Sequence, residues 1–301
     1  MEKLTIFTPT YNRGYIIRNC YESLCRQSNK DFLWLIVDDG STDNTEDIIN
    51  SFINEDKIKI IYHKQKNSGK HVAHNKGVLM CETEMFVCVD SDDYLSDDAV
   101  QIIHETWANV ENDKSLAGII ALRGENTQQV IGTRMPRNIE RSSILDLYEK
   151  YKFKGDTILT FKTAILKIHL FPVFEGEKFV TEAVVYDQIS RKYDMKLVDK
   201  ILYLCEYLDD GYSKNILSVH KKNPKGYMFY LTQKVENAKN FRDKYKAVAY
   251  YVAGCLGMKS IFYYRNCDYK FLKIISIPKG ILIYVKPIIK STLVKYKLVK
   301  F

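Results

Sequence analysis

Over its first hundred residues the chain alternates short, unbroken apolar runs with segments whose apolar positions fall at helical spacing. LTIFTPTY, beginning at Leu4, reads as a buried strand. Ile16, Ile17, Cys20 and Leu24 then share one face of a helix over Tyr15–Gln27. FLWLIVDDG is a second strand that ends in a turn, and Asp43–Ile53 a second helix with a start signal at Ser41–Thr45. KIKIIYHK, Gly69–Leu79 and EMFVCVD continue the series as strand, helix and strand. Strand–helix alternation of this kind predicts βαβ units around a parallel sheet, an α/β fold. Continuous rather than alternating apolar strands suit a sheet covered on both faces.

The middle of the chain is less regular. LAGIIALRG, DTILTFKTAIL and KLVDKILYLCEYL carry strand-like runs, and Ser143–Tyr151 and Ala183–Tyr193 are predicted helices. From Lys225 to about Tyr264 the pattern is helical. The Asn223–Gly226 turn signal suggests a boundary near 215–225. The expected organisation is a domain over 1–220, with a first half to about residue 100, and a helical, basic region over 221–301.

Charge sharpens that division. The formal net charge is +8, and the segment Tyr269–Phe301 holds eight Lys and no acid, so the remaining 268 residues balance to zero. A neutral body does not suit a nucleic-acid binder. The tail has no uncharged run near the ~20 residues needed to span a bilayer. Pro278 and Pro287 are expected to divide it into short pieces. Apolar residues interspersed with Lys fit a surface helix on an anionic membrane leaflet, or equally a packing helix or dimer interface. The seven Cys form no CxxC pair, which suggests free thiols in a reducing compartment. MEKLTIF lacks a signal pattern, so a cytoplasmic location is expected, peripheral at the inner face of the cell membrane.

Polar residues gather where the strands end: Thr8–Arg13, Asp38–Asp43 and Asp90–Asp93. In open α/β sheets ligands bind beyond the carboxyl ends of the strands. The stretch FVCVDSDDYLSDD places five carboxylates after an apolar strand, and acids so close repel unless something positive joins them. A capped, solvated turn is the plain alternative for each segment alone. Asp97 and Asp98 precede AVQIIHETW and are expected to cap a helix. His71 and His74 lie three apart, but no third ligand is near in sequence and zinc is not expected.

TPTYNR (Thr8–Arg13), VDDGSTDNT (Val37–Thr45), NSGKHVAHNKG (Asn67–Gly77) and DSDD (Asp90–Asp93) resemble, in this order, the motifs of family-2 glycosyltransferases. EGEKFVTEAVVYDQI and EYLDDGYSKN are similar to acceptor-side segments of bacterial members, so the resemblance covers about residues 3–215. It implies the GT-A fold, with a Rossmann-like, mostly parallel central sheet flanked by helices. It also implies an inverting hexosyltransferase for cell-surface polysaccharide such as capsule, with a nucleotide-sugar donor, UDP-sugar by default, and a glycan or lipid-linked acceptor. The first hundred residues become the donor half and 100–220 the acceptor half.

Roles follow position by position. The resemblance puts Pro9, Thr10, Tyr11 and Arg13 around the nucleoside, and Asp39 or its neighbour Asp38 against the base. Asn67, Lys70 and Asn75 border base, ribose or diphosphate. Asp90, with Ser91 beside it, faces ribose. The resemblance implies that Asp92 of the DXD motif binds Mn²⁺ or Mg²⁺, with Asp93 of the same turn as a candidate to share that duty. Such a cation takes carboxylate and phosphate oxygens together, which accounts for the crowded acids. Glu182 matches the catalytic base, with Glu175, Glu177 and Asp187 as rivals in the same segment. Other readings stay open: a non-catalytic nucleotide-sugar-binding module, or a sugar nucleotidyltransferase, although Thr8–Arg13 has no GGxGTR-like loop. The chain has no GxGxxG for a Rossmann dehydrogenase.

Overall fold

The computed structural model describes residues 2–205, 212–258 and 269–298. Asp209, Asp210 and Gly211, for which the sequence predicts a turn, lie outside the described residues. The chain divides into two compact units, Met1–Phe171 with Val185–Gly211, and Pro172–Val184 with Tyr212–Phe301.

In the first unit the alternation gives β1 (Leu4–Thr10), α1 (Ile17–Cys25), β2 (Phe32–Asp38), α2 (Thr45–Glu55), β3 (Ile60–Lys64), α3 (Lys70–Met80) and β4 (Met85–Cys88). These strands pair in parallel in the order β3-β2-β1-β4. Then come β5 (Tyr94–Leu95), α4 (Ala99–Ala108), β6 (Leu116–Gly124), β7 (Arg141–Ser142), α5 (Ile144–Glu149), β8 (Thr157–Lys162), α6 (Thr163–Lys167), α7 (Ala183–Ile189) and β9 (Asp194–Leu204). The sheet continues β4-β8-β6-β9-β5, with β7 on β9. This second half mixes directions: β8 is antiparallel to both β4 and β6, whereas β6 and β9 run parallel. The whole is a mixed α/β sheet flanked by helices. The run DTILTFKTAIL is a strand only to Lys162. There the chain turns into α6, which buries Ile165 and Leu166.

Every residue of β1 is buried, as its unbroken apolar run requires. Leu4, Ile6, Trp34, Ile36 and Val87 form the centre of the core. Tyr21 of α1 stacks on Phe52 of α2 at 4.0 Å between ring centres, and Trp34 Nε1–H donates to Thr8 Oγ1 at 2.9 Å. Burying each such aromatic side chain contributes about 1.5–3 kcal/mol.

The second unit holds α8 (Tyr212–Lys222), α9 (Pro224–Asn237), α10 (Phe241–Gly257) and α11 (Lys270–Leu298). The helical stretch expected from Lys225 breaks at 238–240, where Asn240 caps α10 by accepting the Asp243 N–H at 2.9 Å. The tail departs from expectation: α11 runs as one helix of 29 residues, straight through Pro278 and Pro287. An interior proline removes one hydrogen bond and crowds the preceding turn. Packing against α10 opposes that cost. Ser276 and Gly280 are buried, and a side chain on Gly280 would sit 2.6 Å from Val252 Cγ1. Lys244 and Lys279 lie over the rings of Tyr269 and Tyr245 at 4.5 and 4.9 Å. No helix among the described residues is long and apolar enough to cross a membrane.

Candidate functional site

The parallel order β2-β1-β4 brings three loops to one sheet edge, because parallel strands present their carboxyl ends together. The loop after β1 is tied to the loop after β2. Asn12, at φ 52°, receives the Thr42 N–H on its Oδ1 at 2.8 Å and donates its own N–H to Ser41 Oγ at 2.8 Å. The Arg13 N–H reaches Thr45 Oγ1 at 3.0 Å. Pro9 and Thr10 are buried at the end of β1, and Tyr11 stands 47% exposed. The Thr10 hydroxyl is buried with no hydrogen-bond partner among the described residues.

The two acids of VDDG differ sharply. Asp38 is fully buried, and its oxygens accept from the Ser41 N–H at 2.7 Å and the Tyr62 hydroxyl at 2.8 Å. Asp39 accepts from Gln65 Nε2 and the Ser68 N–H, both at 2.8 Å, and from the Gly69 N–H at 2.7 Å. It thereby holds the loop that carries Asn67 into α3. Gly40 is required between them: it lies at φ 83°, and a Cβ there would stand 2.9 Å from the Asn67 backbone nitrogen.

The acidic turn after β4 meets two cations. Lys70, at the start of α3, places Nζ 2.7 Å from Asp90 Oδ1 and 3.1 Å from Oδ2. Arg13 Nη2 lies 3.7 Å from Asp92 Oδ2, and its Nη1 contacts the Tyr15 hydroxyl. Burial works against the charge on Asp90, but Lys70 outweighs it and holds that carboxyl below the usual range. Burial, together with the charge of Asp90, pushes Asp92 up. Burial pushes Asp93 up to about 7, against the hydrogen bond from Tyr203. Ser91 is buried in the same turn. Arg123 adds a third positive charge that acts on Asp90 and Asp93. Carboxylate oxygens are hard donors of the kind that fit Mg²⁺ or Mn²⁺, which take one or two carboxylates plus substrate phosphates. Among the described residues no three His, Cys, Asp or Glu gather where they could hold a metal ion, so a cation here would need oxygens from a bound ligand as well.

The Asn75 amide is engaged on both sides by the backbone of Phe171, donating to its carbonyl and accepting its N–H at 2.8 Å each. Asp97 pairs with Arg26 at 3.2 Å. Asp98 occupies the cap position of α4, but its carboxylate accepts the Ser96 hydroxyl at 2.8 Å and caps no backbone N–H, which corrects the capping expectation. Glu182 is exposed and directly precedes α7, in the second unit. Of its rivals, Glu177 is buried with both oxygens on the N-terminus of α9, accepting from Lys225 and Gly226 at 2.7 and 2.8 Å.

The family model described as "Glycosyl transferase family 2" matches residues 5–172, more than half of the chain. The chain belongs to glycosyl transferase family 2. Among curated relatives, glycosyltransferase GlyA of Streptococcus pneumoniae is 25% identical over 67% of this chain and 29% of its own length. The hyaluronan synthase of Pasteurella multocida is 28% identical over 73% of this chain and 22% of its own. The chain therefore spans less than a third of either protein. A Campylobacter jejuni GalNAc(5)-diNAcBac-PP-undecaprenol beta-1,3-glucosyltransferase is matched nearly end to end, at 23% identity over 98% of this chain and 96% of its own. In fold, S. aureus TarS 1-349 in complex with UDP-GlcNAc covers 94% of this chain and 81% of its own, at TM-score 0.60 and 17% identity. The Pyrobaculum calidifontis mannosyltransferase PcManGT with GDP-Man and Mn²⁺ covers 99% of this chain and 85% of its own, at TM-score 0.56 and 15% identity.

The family-2 motifs do not reveal three residues packed around the stretch from Asp90 to Val100. Buried Gln27 accepts the Val100 N–H at 3.0 Å and donates to the Ser96 carbonyl at 2.7 Å. Tyr203 of β9 touches both Asp90 and Asp93, and Arg123 of β6 lies over its ring at 4.1 Å. Tyr203 is one of 22 tyrosines and sits in an ordinary apolar strand, so no signal in the sequence marks it.

Proposed function

We propose that this chain is a metal-dependent, inverting glycosyltransferase. It moves a hexosyl group from a nucleoside-diphosphate sugar, a UDP-sugar first among candidates, to a glycan or lipid-linked acceptor. The observation that carries this reading is the meeting of Asp90, Asp92, Lys70 and Arg13 at one sheet edge. Cations and carboxylates side by side suit a metal-bound diphosphate, which carries both signs of charge. UDP-GlcNAc in TarS and GDP-Man with Mn²⁺ in PcManGT support the donor class.

In this reading Thr10, Tyr11 and Arg13 border the nucleoside, and Asp39 keeps the Asn67 loop against it. Asp90, beside Ser91, faces the ribose. Asp92 holds Mn²⁺ or Mg²⁺, which when bound stabilises charge on the departing nucleoside diphosphate. Glu182 takes the proton of the acceptor hydroxyl. That oxygen bonds to the anomeric carbon from the face opposite the diphosphate, and the electrons of the breaking C–O bond leave with the diphosphate. One displacement inverts the anomeric configuration. The setting is assembly of a bacterial cell-surface polysaccharide. The basic tail rests on the anionic inner face of the cell membrane.

A panel of nucleotide sugars, scored by thermal shift and hydrolysis with Mn²⁺, tests the donor class. Asp92→Asn should keep the fold and lose Mn²⁺-dependent donor binding. Unchanged, metal-independent affinity in that variant would sink the metal role, and no response to any nucleotide sugar would sink the whole reading.

A further inference from the structure

One side chain of β9, Tyr203, reaches both ends of the Asp90–Asp93 turn. Tyr203 is fully buried; its OH donates to Asp93 Oδ2 at 2.7 Å and accepts the Asp90 N–H at 3.1 Å. Both ends of the four-residue turn therefore meet on one oxygen, with Asp92 between them. The backbone repeats the link, since Tyr94 and Leu95 pair with Leu204 and Tyr203. The phenol itself is fixed from above. The Arg123 guanidinium lies 4.1 Å from the ring centre, and its Nε donates to the Thr157 carbonyl at 3.1 Å. One oxygen of Asp93 thus points into the protein and serves Tyr203.

We propose that Tyr203 is a positioning residue for the metal–nucleotide site: through Asp93 and the Asp90 N–H it fixes the direction in which Asp92 presents its carboxylate. Asp93 then works as the acceptor that locks the turn, and Asp92 is the acid that meets the cation. This rests on the metal-dependent reading above. A carboxylate that must share a small cation with phosphate oxygens needs a fixed direction, and neighbours that hold a ligand in place typically govern about 10–100-fold in metal affinity. The turn closes on itself through the Asp93 N–H and the Asp90 carbonyl at 3.1 Å, and Tyr203 is the side chain that ties both of those residues to β9.

The test is Mn²⁺ binding to the full chain, with and without UDP, followed by the EPR signal of free Mn²⁺. Tyr203→Phe removes one oxygen from a buried ring and should weaken Mn²⁺ binding in the presence of UDP by about 10–100-fold. Asp93→Ala should do the same, and the double variant should be no worse than either. Asp93→Asn keeps an acceptor for the Tyr203 hydroxyl and should stay within about threefold of wild type. A purely structural role would lower melting temperature in these variants without this non-additive pattern or the rescue by Asn. Tyr203→Phe with wild-type Mn²⁺ affinity overturns the proposal. So does Asp93→Asn as damaging as Asp93→Ala, because Asp93 would then be a ligand. A wild-type chain that binds UDP but no Mn²⁺ overturns the metal reading and this proposal with it. Wild-type Mn²⁺·UDP binding that Tyr203→Phe leaves intact overturns this proposal alone.

Discussion

The carboxylate of Asp39 receives the N–H of Gly69 at 2.7 Å, joining the end of β2 to the start of α3 across 30 residues of chain. Gln65 and Ser68 donate to its other oxygen. Asp39→Ala leaves three donors without an acceptor inside the loop. Each buried group left unpaired costs about 1–3 kcal/mol, so a loss of several kcal/mol is the upper bound. Urea unfolding should show the loss, and proteolysis should cut first within 65–69. A variant as stable as wild type would show that water replaces Asp39 there.

Asp93 makes the metal-free protein sensitive to pH. Its carboxyl titrates at about 7 because of burial, whereas an unfolded aspartate titrates near 3.9. Between these values the folded chain holds a proton that the unfolded chain has released. The contribution of Asp93 to stability is thus intact below about pH 4 and lost as pH rises through 7. Asp93→Asn cannot ionise, so its melting temperature should rise relative to wild type from pH 5 to pH 8. A difference that stays flat over that range would mean Asp93 is ionised throughout.

Glu182→Gln keeps the shape at the start of α7 and removes the proton acceptor. Transfer should fall by about 10²–10⁴-fold, while titration shows donor affinity unchanged. Affinity falling together with turnover would make Glu182 a donor contact. Near-wild-type transfer would shift the search to Asp187 and Glu175, since Glu177 is already committed to the N-terminus of α9.

The tail helix turns a second apolar face outward: Phe271, Ile274 and Leu282 are 71%, 62% and 69% exposed. Replacing all three by Ser should release the chain from anionic liposomes and leave UDP binding intact. Binding should also weaken as salt rises, because each Lys near such a surface contributes on the order of 1 kcal/mol. A full-length chain that does not float with the vesicles at low salt would remove the membrane role. A dimer dissociated by the triple substitution would assign this face to a second copy.

Periodicity carried most of the first hundred residues. Short apolar runs alternating with helical patterns point to parallel strands, and parallel strands bring their polar ends to one edge, so the gathering of Thr8–Arg13, Asp38–Asp43 and Asp90–Asp93 was legible. The eight Lys of the tail were equally plain. Tertiary structure decided what no local pattern encodes: which partner each polar group meets. Asp38 and Asp39 are neighbours in sequence, yet one closes its own turn and the other clamps α3. Asp92 meets Arg13 while Asp93 serves a tyrosine 110 residues away. Asn75 sits in the Asn67–Gly77 motif and spends its amide on Phe171. The prolines of α11 mark a break by local geometry, and the helix continues because its inner face packs on α10. Burial pattern is a property of neighbouring residues along the chain, so sequence determines it. Hydrogen bonds are short and directional, so their pairing depends on how distant strands and helices are placed, and only the folded chain settles it.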